Sequence, residues 1–347
     1  MQTRVVIRAD ASVNIGSGHV IRCLTLAEVL RQQGATVEFV CREHVGNLLE
    51  LIHQRDFVAH TLECDEWSED ARQTLAVLGN PVDWLIVDHY GLDKRWESQL
   101  RSACRHLMAI DDLADRPHDC DLLLDQNYYL NPECRYQGLL PDQCTQLLGP
   151  GYALLSTEYE QALQEHQPRA ARIEKVLVFF GGSDPTGETE KLLTAIESFS
   201  LPELSFDVVV GASNPKCHVI EARCQQLQNV HFHCQTSEMA MLCAEADLAL
   251  GAGGSANWER FSLALPCMVV TTAENQRETV AALVQDGYVQ WLGWHAEITP
   301  QHMAKALCRA VEQVEEMIAM GERARRLIAG KGRFGAQYVA ECILSAA

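Results

Sequence analysis

The chain has 347 residues, 47% of them hydrophobic and 22% charged, a globular composition that suits two domains of about 150 to 180 residues each. Its net charge of −19 argues against nucleic acid as a partner, which needs a clustered basic face, and no apolar run approaches the length of a membrane span. The first ten residues enter a strand-like run with no signal-peptide pattern, and fourteen cysteines without a C-x-x-C pair read as free thiols of a reduced, cytoplasmic protein.

In chain order, β-branched runs predict strands over 4–8, 37–41, 57–60, 84–87, 107–110 and 121–124. Helical patterns lie between most of them, for example over 19–33 and 93–103. That alternation is the signature of a parallel sheet covered on both faces. From 126 to 150 it lapses into a stretch rich in Asn, Pro, Gly and Gln. A polar helix over 156–166, then Pro168 and a basic stretch, reads as an interdomain crossing. Strands resume over 175–180, 207–210, 230–233, 248–251 and 268–271, and the chain is mainly helical after Pro300. The expected organisation is a Rossmann-like domain over 1–150, a crossing over 151–172, a second Rossmann-like domain over 173–330 and a C-terminal helix over 331–347. Two doubly wound halves facing each other would bind a ligand at the strand C-terminal ends, in the cleft between them.

The first predicted strand runs into A-D-A-S-V-N-I-G-S-G-H (9–19) and then a helix. Gly16 and Gly18 let the backbone approach a ligand and present amides that favour negative charge. The loop is not a dinucleotide fingerprint, because Ile21 stands at the third glycine position, nor a P-loop, because no Gly-Lys-Ser/Thr follows. His19 directly follows the second glycine, with Arg22 one turn on. By itself such a pair reads as a polar first-turn residue and a solvated charge. The strand–loop–helix context favours catalysis instead, because an imidazole titrates near neutrality and can take or give a proton.

The second half repeats this logic in L-A-L-G-A-G-G-S-A-N-W-E (248–259). Ser255 can cap the helix that follows and also hydrogen-bond a phosphate, and Glu259, one turn later, can accept both hydroxyls of a ribose. Gly181-Gly182-Ser183-Asp184 either closes over phosphates or is a plain connection. Cys217, His218, Cys224, His231, His233 and Cys234 match no zinc spacing, and alternation in the strand puts His231 and His233 on one face. Asp119-Cys120-Asp121 leads into three leucines and reads as strand-edge carboxylates. Asp111 and Asp112 end another strand and are candidates for lining the cleft.

Taken together, R-A-D-A-S-x-x-I-G-S-G-H-V-I-R-C (8–23), V-D-H-Y-G (87–91), D-D-L-A (111–114), C-D-L-L-L-D-Q-N (120–127), G-G-S-D (181–184), G-A-G-G-S-A-N-W-E-R (251–260) and E-N-Q (274–276) fall in an order that resembles a known family. It is the UDP-2,4-diacetamido-2,4,6-trideoxy-β-L-altropyranose hydrolases of pseudaminic acid biosynthesis, and the similarity runs to about residue 290. The resemblance implies the two-domain GT-B fold and a cytoplasmic, metal-independent enzyme without cofactor. Its substrate would be a small UDP-sugar, hydrolysed by C–O cleavage with inversion. His19 occupies the family's catalytic position and Tyr90 that of a tyrosine beside the reacting centre. Ser255 and Glu259 match its nucleotide-binding residues. The same motifs put Asp10, Asn14, Gly16, Ser17, Gly18, Arg22, Asn127, Gly182, Gly254, Asn257, Asn275 and Gln276 among the substrate contacts. Trp258 stands where some members have asparagine and receives no polar role. Rival readings are a glycosyltransferase of the same fold, a hydrolysing UDP-sugar 2-epimerase and a non-catalytic sensor.

Overall fold

A computed structural model describes the chain except residues 1, 14, 166–168, 200, 202, 213, 329–334 and 347. It forms two compact units, one of Met1–Leu155 with Lys331–Ala347 and one of Ser156–Gly330. Each is an α/β unit around one parallel sheet.

The first sheet has seven strands: β1 (Arg4–Ala9), β2 (Thr36–Arg42), β3 (Val58–Leu62), β4 (Val82–Asp88), β5 (Cys104–Ile110), β6 (Leu122–Asp125) and β7 (Thr145–Leu148). Their spatial order is β3-β2-β1-β4-β5-β6-β7, every pair parallel. Near-continuous apolar runs such as Arg-Val-Val-Ile-Arg-Ala in β1 form its centre because both faces are covered. Strand β7 lies inside the stretch read as a lapse. Its four residues include only two leucines and end at Gly149-Pro150, too short for a period to show, yet Leu147 is buried opposite Leu124. The last helix, Gly335–Ala346, packs Val339, Ala340 and Ile343 into the core of this first unit. At Gly335 a Cβ would lie 2.2 Å from the carbonyl carbon of Tyr152, so only glycine fits.

The second sheet comprises β8 (Lys175–Phe179), β9 (Ser205–Val210), β10 (Val230–Cys234), β11 (Leu248–Ala252), β12 (Cys267–Thr271) and β13 (Gln290–Trp294), in the order β10-β9-β8-β11-β12-β13. Strand β13 was not expected. It is a half-exposed edge whose pairing with β12 shifts register between Val269 and Val270. Arg169, in the basic stretch, donates to the carbonyls of Cys243, Ala244, Ala246, Leu263 and Ala264, the C-terminal ends of the helices Met239–Glu245 and Ala256–Ser262. Those carbonyls have no intrahelical donor, and one guanidinium satisfies both sets.

Both sheets reverse direction beside their first strand, between β1 and β4 and between β8 and β11. At such a reversal the two following loops diverge and leave a crevice at the strand C-terminal ends, where α/β sheets bind ligands. The glycine loops after β1, β8 and β11 all leave from these two points.

Candidate active site

In the first unit Ala9 pairs with Asp88, so the start of the glycine loop lies beside a carboxylate at the end of β4. The loop feeds the helix Gly18–Gln32, whose second residue is His19. His19 is 6% exposed, and its Nδ1 lies 2.5 Å from Asp88 Oδ1. Two acceptors cannot meet at that distance, so Nδ1 carries the proton and donates it to the carboxylate. Nε2 is then the acceptor, and it has no hydrogen-bond partner among the described residues. Arg22, one turn along, donates to both Asp88 oxygens at 2.6 Å and reaches Asp112 at 3.5 Å. Burial would raise the Asp88 carboxyl, but the Arg22 charge overrides it and holds Asp88 well below the usual carboxylate range. Tyr90 meets the His19 ring edge to face at 4.5 Å, and its hydroxyl donates to Asp112 at 3.4 Å. Burial, then the Asp112 charge, push its phenol above its ordinary value. His19, Arg22 and Tyr90 therefore converge, and two carboxylates organise them: Asp88, given no role from sequence, and Asp112, expected there only as a candidate for lining the cleft.

The loop itself is held from below. Gly16 takes a left-handed conformation (φ +84°) and bridges Ser12. Its amide is given to the Ser12 carbonyl at 2.8 Å, so it is not offered outward. Ser17 precedes the helix without a side-chain cap, and Gly18 is exposed at the helix start. Asn14 lies outside the described residues. Asp10 faces inward, contrary to its expected role as a substrate contact. It is fully buried, takes Arg8 bidentately at 2.6 and 2.8 Å, accepts the Arg42 amide at 2.8 Å and lies 3.2 Å from His89 Nε2. Arg8 and Arg42 also grip Asp70, and Trp96 donates to it at 2.8 Å. Asp10 thus anchors the loop rather than touching a ligand. Asn127 is half-buried, and its backbone N–H donates to Asp125 Oδ1 at 2.9 Å.

In the second unit Ser255 precedes the helix Ala256–Ser262 but makes no capping bond, which corrects the capping expectation and leaves its hydroxyl exposed. Glu259, on that helix, accepts from the Tyr159 hydroxyl at 2.9 Å. Burial raises its carboxyl and the Tyr159 bond opposes this. Tyr159 comes from the helix Thr157–Glu165 and was not anticipated. Gln276 reaches back to the glycine loop. Its Oε1 accepts the Thr272 amide at 2.9 Å, and its Nε2 lies 3.6 Å from where a Gly254 Cβ would stand. Asn275 is exposed on the same turn. Asn257 faces inward instead of outward, fully buried and accepting from Arg260 at 3.1 Å. Arg260 also donates to the Phe179 carbonyl, directly above Gly251, where a Cβ would lie 2.3 Å from both. Gly182 is packed under Gly211, whose amide it accepts at 2.8 Å, and Asp184 caps the next helix through the amides of Glu188 and Thr189. Among the described residues no group of three or more His, Cys, Asp or Glu is arranged to hold a metal ion, and no helix is long and apolar enough to cross a membrane.

No family model matches the chain. It is 27% identical over 292 residues to the UDP-2,4-diacetamido-2,4,6-trideoxy-beta-L-altropyranose hydrolase of Campylobacter jejuni, covering 82% of this chain and 97% of that one. It is 23% identical over 331 residues to the spore coat polysaccharide biosynthesis protein SpsG of Bacillus subtilis, with 94% and 95% covered. The resemblance carried by the motifs thus extends along most of the chain. Among solved structures, Arabidopsis thaliana UGT89C1 complexed with UDP superposes with TM-score 0.69 at 13% identity, covering 99% of this chain and 100% of the other. CalG4, the calicheamicin glycosyltransferase, gives 0.66 at 15%, with 100% and 98% covered. The fold is that of the GT-B glycosyltransferases.

Proposed function

We propose that the chain is a UDP-sugar-processing enzyme. More specifically, we propose that it hydrolyses UDP-2,4-diacetamido-2,4,6-trideoxy-β-L-altropyranose to UDP and the free sugar, in the cytoplasm and within pseudaminic acid biosynthesis. The observation that carries this reading is the His19–Asp88 pair fixed by Arg22, because it leaves one imidazole nitrogen, Nε2, to accept a proton. UDP is already a good leaving group, so the departing oxygen needs no strong acid. Water is the weak reactant and needs a base. His19 Nε2 takes the water proton as its oxygen attacks the anomeric carbon, the C1–O bond to the diphosphate breaks with inversion, and UDP leaves with the bond electrons. Asp88 stabilises the imidazolium that forms. General-base help of about 10²–10⁴-fold corresponds to roughly 3–5 kcal/mol of barrier. Glu259 takes the ribose hydroxyls, with Ser255, Gly254 and Gln276 at the diphosphate. The reading uses no metal, so turnover should persist in the presence of a chelator, measured as UDP release.

The test is turnover of the UDP-sugar in ¹⁸O water. Label in the free sugar and none in UDP supports C–O hydrolysis, and label in UDP sinks it. The GT-B neighbours favour a second reading, transfer of the sugar to an acceptor hydroxyl. An Asp–His pair serves any hydroxyl, and turnover only after an acceptor is added would select transfer. Exchange of the C2 proton with solvent would select the epimerase.

A further inference from the structure

Two of the cysteines set aside as zinc ligands meet in the fold. Cys217 begins the helix Cys217–Cys224, Cys234 ends the edge strand β10, and their sulfurs stand 3.4 Å apart. Cys234 is exposed and Cys217 half-buried, so the pair is open to a reagent. Burial, then the contact with Cys234, push the Cys217 thiol up to about 11. A disulfide needs a separation near 2.05 Å, so the sulfurs must close by about 1.4 Å, within the reach of side-chain rotation. A second pair, Cys120 and Cys144, is 3.6 Å apart but buried, and supplies an internal comparison.

The position of the exposed pair gives it a consequence. The loop from β9 to Cys217 starts at Gly211, which packs against Gly182. A Gly211 Cβ would lie 2.7 Å from the Gly182 Cα, and its amide is bonded to the Gly182 carbonyl. The residue after Cys234, Gln235, holds the same loop through the Ala212 amide at 3.2 Å. We propose that Cys217 and Cys234 form a reversible disulfide, which ties this loop to β10 and restrains the Gly181–Gly182 turn against which the loop packs. The effect on UDP rests on the function proposed above. The oxidant is a low-molecular-weight disulfide such as oxidised glutathione. The Cys234 thiolate attacks one glutathione sulfur and expels the other glutathione as a thiolate. Cys217, on losing its proton to solvent, attacks the mixed disulfide and expels the second glutathione. Two protein thiols are oxidised and one glutathione disulfide is reduced to two thiols.

The full-length protein is equilibrated with oxidised and reduced glutathione in graded ratios, alkylated and digested with trypsin. UDP binding is measured by calorimetry before and after oxidation. The expected result is a cross-link between Cys217 in peptide 217–223 and Cys234 in peptide 224–260, located by fragmentation, with Cys120, Cys144, Cys224 and Cys243 fully alkylated once the protein is unfolded in denaturant. UDP affinity should fall about fivefold or more on oxidation, recover with dithiothreitol, and not respond in Cys234→Ser or Cys217→Ser. A mixed glutathione disulfide that never resolves, or earlier oxidation of Cys120 and Cys144, overturns the disulfide. A cross-linked protein with unchanged UDP affinity overturns the restraint. Reduced protein that binds no UDP counts against the proposed function, while the peptide map still decides the disulfide.

Discussion

Asp88→Asn tests the proposed base most directly. Each Asp88 oxygen accepts from Arg22 at 2.6 Å, and Oδ1 also accepts from His19. An amide has one oxygen, so one of these sites must become an NH₂. With NH₂ at the Oδ1 site it donates to His19 Nδ1, the ring proton moves to Nε2 and the base is lost. With NH₂ at the Oδ2 site it confronts Arg22 Nε, donor against donor. Either way the buried guanidinium keeps only Asp112, at 3.5 Å, as its counter-charge, and breaking the closer pair costs up to about 3–5 kcal/mol. Turnover at saturating UDP-sugar should fall by up to about 10²–10⁴-fold, the whole general-base contribution being lost where the amide NH₂ faces His19. His19→Ala should lose as much turnover but far less stability, since Arg22 and Asp88 remain paired. The double variant should be no slower than His19→Ala, because the two residues act as one unit. The assay is UDP release beside urea denaturation of each variant. A folded Asp88→Asn protein that turns over like its parent, or a double variant slower by the product of the single losses, would refute the reasoning.

In the second unit, Glu259→Gln keeps an acceptor for Tyr159 but removes the charge offered to the ribose. UDP affinity by calorimetry should drop by about 1.5–3 kcal/mol, with turnover at saturation near the parent's. Arg169→Ala leaves five carbonyls at two helix ends without their shared donor, and urea unfolding should show a loss of about 1–3 kcal/mol. Burial, with the Asp112 charge adding, lifts the Asp125 carboxyl to about 7. Between its ordinary value and pH 7 the unfolded chain has released that proton and the folded chain still holds it, so stability falls as pH rises through this window. Melting temperatures from pH 4 to 8 should show that fall in the parent and a flatter profile in Asp125→Asn.

The alternation of strands and helices was legible because long apolar runs at regular spacing leave few other folds. What escaped was short or partnered from afar. Strand β7 has two apolar residues, and β13 is a half-exposed edge with a register shift. Within the site, His19 and Arg22 stood out by their place after a glycine loop. Asp88 did not, although it sits in a quoted motif, because its importance comes from β4 lying next to β1, and sequence does not display strand order. Tyr159 is 100 residues from Glu259 and belongs to a helix read only as polar. Asp10 shows the opposite error. It stands next to the loop in sequence, yet Arg8 two residues earlier turns it inward.

The two sheets share one arrangement and differ in what stands at the crevice. In the first, β4 ends in Asp88, and the Arg22 that grips it also reaches Asp112. A carboxylate against the His19 ring suits a proton acceptor, because it stabilises the imidazolium that forms. In the second, the corresponding strand β11 ends in Ala252 and runs into glycines, and the nearby Asp184 is already spent on the amides of Glu188 and Thr189. Backbone amides can there face phosphate oxygens with no competing carboxylate. This contrast supports the proposed division, with proton transfer in the first unit and the nucleotide in the second. For the same reason, Asp88→Asn should register in turnover and Glu259→Gln in UDP affinity, each nearly without the other.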